Sequence, residues 1–415
     1  MLRCAVSMIA WHRVLPLVTL VACSTSREEP IAAAGSGGVA VAAGSGGSGA
    51  DGAAAAGANG GGGPGGGGVQ AGSGGAPGGG EAGAGGDVVS GPLFQPPAGQ
   101  TLLIVGQDLD SIQGYTESVW PSPGGVTTYT RIDENPWALP GLRTLVNDGA
   151  GDLHASELVS RYPDSVLSIG LYLVDDSGSH LAHVADGTLD AAIDDLGAFI
   201  GEAARPVFLR IGYEFDGSWN HYEPEGYKAA YRHIVERLRS QGVLNFASVW
   251  QSAAYALGTY QGLPLDAWYP GDDVVDWCGS SYFKFAAAPQ QALLEFARAH
   301  EKPVMIAEAT PQGYDTEALT HSETGDPLTT RTAQQIWDEW YAPFFAFVHQ
   351  NADVVRAVAY INADWASQPM WGPSGGSGYW GDSRVEASAE LQSLWLAEIS
   401  GESWLHGSPD LFSTL

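Results

Sequence analysis

Two glutamates stand where chemistry could be done. Glu214 follows the run Val207-Phe208-Leu209-Arg210-Ile211-Gly212-Tyr213, and Glu308 follows Val304-Met305-Ile306-Ala307. A carboxylate set directly after a buried strand is costly unless it is hydrogen-bonded or reactive. Two of them facing each other across one cleft suit hydrolysis of a glycosidic bond, in which one carboxylic acid protonates the leaving oxygen and a second carboxylate attacks the anomeric carbon; retaining enzymes hold the pair about 5–5.5 Å apart. Arg210, inside the strand that leads to Glu214, is expected to pair with a nearby carboxylate and keep it charged. The plainer alternative is that either glutamate only pairs with a base at the rim of the fold.

Aromatic side chains surround both positions. Trp219, Trp250 and Trp365 are candidates to stack on the apolar faces of sugar rings, with Trp371 and Trp380 as further subsites. Tyr282 is a candidate donor to Glu308, and Tyr213 a hydrogen-bond donor to sugar. Each also has a packing reading, which is preferred for Trp337 and Trp340 because they fall inside a helical stretch. His221, His233 and His300 lack metal-ligand spacing. The acidic pairs Asp108/Asp110 and Asp272/Asp273 invite a calcium reading, set aside because such pairs are common in so acidic a chain. No metal and no cofactor is expected.

Short apolar and β-branched runs must position these residues: 101–106, 125–130, 165–174, 206–212, 245–250, 274–280, 303–307 and 354–361. Helical spacing intervenes over 189–203, 225–241, 289–300 and 332–351, with Tyr227, Tyr231, Ile234, Val235 and Leu238 on one face of the second. Continuous apolar strands alternating with amphipathic helices predict a parallel sheet covered by helices, and eight units in this length favour a single (β/α)8 barrel. An open doubly wound sheet is the runner-up, but its first turn reads Gly106-Gln107-Asp108-Leu109-Asp110, without a phosphate-binding glycine pattern. In a barrel the carboxyl ends of the fourth and seventh strands, where Glu214 and Glu308 stand, face one another.

The segment Arg210-Ile211-Gly212-Tyr213-Glu214-Phe215-Asp216-Gly217-Ser218-Trp219 resembles the acid/base segment of glycoside hydrolase family 26, in clan A. There an Arg lies four residues before the acid/base Glu, and a Gly and a Trp follow it. Val249-Trp250, Tyr269-Pro270-Gly271-Asp272 leading into Val275-Asp276-Trp277-Cys278-Gly279, Tyr282 and Glu308 agree in order. The resemblance spans most of residues 200–370. It implies that Glu214 is the acid/base and Glu308 the nucleophile, with retention of configuration. It also implies β-1,4-mannans as the common substrates, with β-1,3-xylan and mixed-linkage glucan as minority activities. One departure concerns Tyr213, which stands where the family has His. Tyr donates a hydrogen bond but titrates far above neutrality and cannot take a cationic role. The chain reads as a divergent branch of the family.

Of 415 residues, 47 are acidic and 18 basic, a formal charge of −29, which excludes nucleic acid as a partner and disfavours uronic-acid polymers. Cys278 is the only cysteine beyond the N-terminal segment, so neither an internal disulfide nor a thiolate zinc site is expected. Arg3 and Arg13 precede the apolar stretch 14–22, which ends Leu20-Val21-Ala22-Cys23, the form of a bacterial lipoprotein signal with Cys23 as the lipidated residue. Residues 31–91 hold 27 Gly and 16 Ala and no aromatic side chain. Such a chain has no apolar bulk to offset its ordering entropy, and its mean reach as a coil is roughly 45 Å. The expected organisation is therefore a signal over 1–23, a tether over 24–91 and a catalytic domain over 92–415. The protein would be a monomeric lipoprotein of the outer membrane or cell surface of a Gram-negative bacterium, touching membrane only through its lipid.

The reading that joins these features is a retaining, endo-acting hydrolase of a plant-type polysaccharide. β-1,4-Mannan stands first, and mixed-linkage β-glucan or xylan is the alternative. Glu308 near Arg210 attacks while Glu214, facing a like charge among aromatic rings, keeps its proton closer to neutrality. The rival from another class is a surface glycan-binding lipoprotein without activity, which would not need both glutamates.

Overall fold

The computed structural model describes residues 93–415 apart from 134–138, 148, 176–177, 255–261 and 373–377. The expected signal with Cys23 and the tether over 24–91 lie outside the described residues. Eight parallel strands close on themselves: β1 (Thr101–Gly106), β2 (Gly125–Arg131), β3 (Val166–Tyr172), β4 (Val207–Ile211), β5 (Phe246–Ser252), β6 (Trp277–Tyr282), β7 (Val304–Ala309) and β8 (Val355–Ile361). Each pairs with the next, and β8 pairs with β1 from Leu102↔Ala357 to Gly106↔Ile361, which closes the (β/α)8 barrel. The expected strands are all present. The sixth starts later than its apolar run suggests, because Val274 and Val275 belong to the turn before it, where both donate to the carbonyl of Gly271.

Helices α1 (Leu109–Ser118), α2 (Ala155–Arg161), α3 (Asp190–Ala203), α4 (Pro224–Ser240), α5 (Leu265–Trp268), α6 (Ala287–Ala299), α7 and α8 (Ala389–Ile399) wrap the barrel. In α4 the buried side chains are Tyr227, Ala230, Tyr231, Ile234, Val235 and Leu238, one stripe at helical spacing. Glu223 caps that helix by accepting from the N–H of Gly226 at 2.7 Å, and Pro224 sits in its first turn, where a missing N–H costs nothing. The stretch read as one helix over 332–351 opens with a capping box between Thr332 and Gln335, then changes pitch. α7 is Ala333–Ile336 and Ala342–Gln350 with a π turn, Trp337–Tyr341, between them. Pro343 has no N–H to return to the carbonyl of Glu339, and the N–H of Ala342 reaches back five residues to Trp337.

Side chains alternate along each strand between two dry layers. Leu102, Ile104, Phe208, Val249, Trp277 and Met305 fill the barrel. Leu103, Leu209, Ile211, Trp250, Cys278 and Ile306 face the helices. The amino-terminal end of the barrel is closed by the segment before β1: Phe94 packs edge-on against Phe208, and the Trp277 indole donates to the carbonyl of Leu93 at 2.7 Å. The opposite end carries the polar residues that follow.

Candidate active site

In β4 the interior parity of Phe208 carries Arg210 into the barrel, where it is wholly buried. Its Nη1 donates to Glu308 Oε1 at 2.6 Å and to Gln251 Oε1 at 3.1 Å, and its Nη2 to Thr127 Oγ1 at 3.3 Å. The guanidinium lies 4.8 Å from the ring centre of Tyr129 and 5.3 Å from that of Tyr213. Burying an unpaired cation here would be prohibitive, so this set of acceptors and ring faces is what lets it stay charged. Gly170 makes the space. In register it lies between Tyr129 and Arg210, and a Cβ there would fall 2.9 Å from Arg210 Nη2.

Glu214 stands just past β4 in a backbone conformation that only a dense set of contacts holds. The chain turns at Gly212 with φ +53°, and Glu214 itself has φ +53°, a left-handed conformation that costs an L-residue about 1–2 kcal/mol. Asn220 Nδ2 donates to the carbonyls of Glu214 at 2.7 Å and Tyr213 at 3.1 Å. The Phe215 N–H reaches the carbonyl of Gln251 at 3.1 Å. Asp216 accepts from Ser252 Oγ at 2.6 Å and from the N–H of Ala253 at 2.7 Å, which fixes the turn to the end of β5. Within this frame Glu214 Oε1 accepts from Ser281 Oγ at 2.6 Å and Oε2 from the Trp219 indole at 3.1 Å. Gly217 admits that indole, since a Cβ at this position would lie 2.4 Å from Trp219 Cε2. Burial and the negative charge of Glu308 push the Glu214 carboxyl up to about 8, against the opposing hydrogen bond from Ser281.

Glu308 reaches the same layer through an irregularity. Plain alternation from Met305 and Ala307 would turn it outward. Pairing with β6 runs Ser280↔Ile306 and then Ser281↔Glu308, and pairing with β8 runs Val358↔Ile306 and then Tyr360↔Ala309. One extra residue of β7 is thus taken up against both neighbours, a β-bulge that puts Glu308 on the interior side beside Arg210.

The structure brings together Arg210, Tyr213, Glu214, Trp219 and Glu308. Tyr213 is held between Tyr129 and Tyr172, each with its ring centre 5.4 Å away, forming an aromatic wall next to the two carboxyls. Trp219 is 41 % exposed at the edge of the site. Two candidates are corrected. Trp250 is completely buried in the helix layer, stacked on Phe215 at 4.5 Å with its indole N–H on the carbonyl of Trp268 at 3.3 Å. Tyr282 packs against Trp340, Phe344 and Phe347 in the layer that faces the helices, and its hydroxyl makes no hydrogen bond to Glu308. Both have outward parity. The inward residues are their neighbours, Gln251 and Ser281, and strands apolar on both faces carry no signal that separates the two sides.

Trp365 follows β8. It is only 3 % exposed, donates to Thr310 Oγ1 at 3.2 Å and Ser383 Oγ at 3.1 Å, and packs with Trp371 and Trp380 at 5.2 and 5.0 Å. Trp340 is a packing residue, with its indole on the carbonyl of Phe283. Three of the four acidic residues named for calcium have protein partners. Asp108 caps α1 by accepting from the N–H groups of Asp110 and Ser111, Asp272 accepts from Tyr269 and pairs with His300, and Asp273 pairs with Arg232. Among the described residues no group of three or more His, Cys, Asp or Glu side chains is placed to hold a metal ion.

A parallel barrel with two carboxyl groups at its carboxyl-terminal mouth is the architecture of a class of glycoside hydrolases. Residues 169–348 match glycosyl hydrolase family 26. The chain is 40 % identical over 325 residues to the beta-1,3-xylanase TXYA of a Vibrio species, covering 76 % of this chain and 68 % of that protein. It is 38 % identical over 330 residues to a beta-1,3-xylanase of an Alcaligenes species, covering 77 % and 67 %. The chain belongs to glycoside hydrolase family 26. Among solved structures, a modular endo-β-1,4-mannanase from Cellulomonas fimi has the same fold, with a TM-score of 0.50 at 17 % identity over 76 % of this chain and 74 % of the mannanase chain.

Proposed function

We propose that this family 26 hydrolase is a retaining endo-β-1,3-xylanase. The observation that carries the substrate is the 40 % identity to a beta-1,3-xylanase over 325 residues, a length that takes in most of the barrel. β-1,4-Mannan, placed first from the motifs alone, becomes the comparison substrate. The raised proton affinity of Glu214 and the hydrogen bond from Arg210 to Glu308 support the division of labour. Glu308, hydrogen-bonded to Arg210, attacks the anomeric carbon, and Glu214, held protonated by burial and by the charge opposite, gives its proton to the leaving oxygen. Water then enters, Glu214 takes a proton from it, and the bond to Glu308 breaks with net retention. Trp219 and Tyr213 are the aromatic surfaces for sugar beside Glu214.

The residues around Cys23 support export and lipid anchoring, with 24–91 as a tether that holds the barrel away from the membrane. Replacing Cys23 by Ser should release the full chain from the membrane fraction. The substrate is tested by reducing-sugar release from β-1,3-xylan, β-1,4-xylan, β-1,4-mannan and mixed-linkage glucan, with Glu308→Gln as control. The reading requires activity on β-1,3-xylan that the control lacks, and a product whose first-formed anomer is β by NMR. Activity confined to mannan would reverse the substrate assignment, and an α product would refute the double displacement.

A further inference from the structure

Glu308, Arg210, Gln251, Ser281 and Glu214 form one continuous hydrogen-bonded chain across the mouth of the barrel, and the chemistry of its members fixes its direction. Arg can only donate. Its Nη1 therefore holds the oxygen of the Gln251 amide, at 3.1 Å, and leaves the amide nitrogen facing the other way. A flipped Gln251 would set donor against donor. From this orientation Gln251 Nε2 donates to Ser281 Oγ at 3.1 Å and to Glu308 Oε1 at 3.4 Å. Gln251 takes one lone pair of the serine oxygen, and the Ser281 hydroxyl donates onward to Glu214 Oε1 at 2.6 Å. Gln251 is wholly buried and Ser281 is 2 % exposed, so water does not compete for either group.

Resting on the acid/base reading of Glu214, we infer that Arg210, Gln251 and Ser281 form a relay that holds a hydrogen-bond donor on Glu214 Oε1 and so sets how readily the buried carboxyl gives up its proton. The other oxygen, Oε2, accepts from the indole of Trp219 at the exposed edge of the site. Ser281 and Gln251 are positioning residues: they touch the reacting carboxyls, and their work is to set how long Glu214 keeps its proton. A donor to the ionised carboxylate is about twice as strong as one to the neutral acid, so the relay also eases loss of the proton from Glu214. The charged and titratable groups around Glu214 are Glu308 on β7, Arg210 on β4, Asp216 and Tyr213 on its own loop, Tyr129 on β2 and Tyr172 on β3. None of these is altered in the test.

The test uses the full chain and the polysaccharide found active, beside a dinitrophenyl glycoside whose leaving group needs no proton. In Ser281→Ala, kcat/KM on the polymer is expected to fall about tenfold, a part of the roughly 10²–10⁴-fold that a general acid supplies, and its basic limb to move up by about one pH unit, since removing a donor to the charged form raises the proton affinity of Glu214. Hydrolysis of the dinitrophenyl glycoside should stay within about threefold, because that step does not use the proton. Ser281→Thr, which keeps the hydroxyl, should restore both limb and rate, and Gln251→Met should give part of the shift. A basic limb that stays in place in Ser281→Ala overturns the relay. So does an equal loss on both substrates, which marks a structural role. Glu214→Gln tests the underlying reading separately, through polymer activity lost and dinitrophenyl glycoside kcat/KM retained. If that contrast is absent, the acid/base assignment falls and takes the relay with it.

Discussion

Gly170→Ala adds one methyl group at a point where neither neighbour can retreat. The new carbon would lie 2.5 Å from Tyr129 Cδ1 and 2.9 Å from Arg210 Nη2, whereas carbon atoms in contact sit about 3.5–4.0 Å apart. Roughly 1 Å of movement is needed. Tyr129 is backed by the ring of Tyr213 at 5.4 Å, so much of the displacement passes to the buried guanidinium and to its 2.6 Å bond with Glu308. Overpacking of this kind costs about 1–3 kcal/mol, and a 1 Å misplacement of catalytic geometry costs on the order of a hundredfold in rate. The variant should therefore melt about 2–10 °C lower and lose about 10–100-fold in kcat with little change in KM, measured by thermal unfolding and by initial rates on the active polymer. A lower melting temperature with kcat within threefold of the parent would show that the nucleophile does not depend on where Arg210 sits.

The carboxyl assignments predict that Glu308→Gln and Glu214→Gln each lower polymer hydrolysis by at least about a thousandfold, and that azide forms a β-glycosyl azide only with Glu214→Ala, detected by mass and NMR. Because Glu214 is pushed up to about 8, kcat/KM should hold through neutrality and fall above that pH as the proton is lost. The same shift fixes the sign for stability: a carboxyl whose folded value is raised contributes stability fully present below its unfolded value of 4.5 and lost as pH rises through about 8. Glu214→Gln should thus melt higher than the parent at pH 9, with the gap closing toward pH 5; equal melting curves at pH 9 would contradict the burial of that charge. Asn220→Ala removes both side-chain bonds to the left-handed turn and should cost about 1–3 kcal/mol by denaturant titration, with a loss in kcat because the Glu214 backbone is no longer held.

The order of apolar strands and amphipathic helices is a local property, and the sequence alone determined it: eight strand runs and the buried face of α4 follow from residue type and spacing. The position of the two carboxyls at one end of the barrel was equally legible, because a Glu directly after an apolar strand falls at that strand's carboxyl end. What the sequence did not determine was which side of each strand faces the barrel. Both faces of a parallel barrel strand are apolar, so the pattern carries no parity signal. Trp250 and Tyr282 were therefore assigned to the cleft, while their neighbours Gln251 and Ser281 are the residues that line it. Glu308 reverses the problem: strict alternation would have turned it outward, and only the bulge against both neighbouring strands brings it to Arg210. The left-handed turn at Glu214, the space left by Gly170 and the direction of the hydrogen-bonded chain from Arg210 exist only once β2 to β7 have closed, because each is set by atoms far apart in the chain that meet at 2.6–3.4 Å.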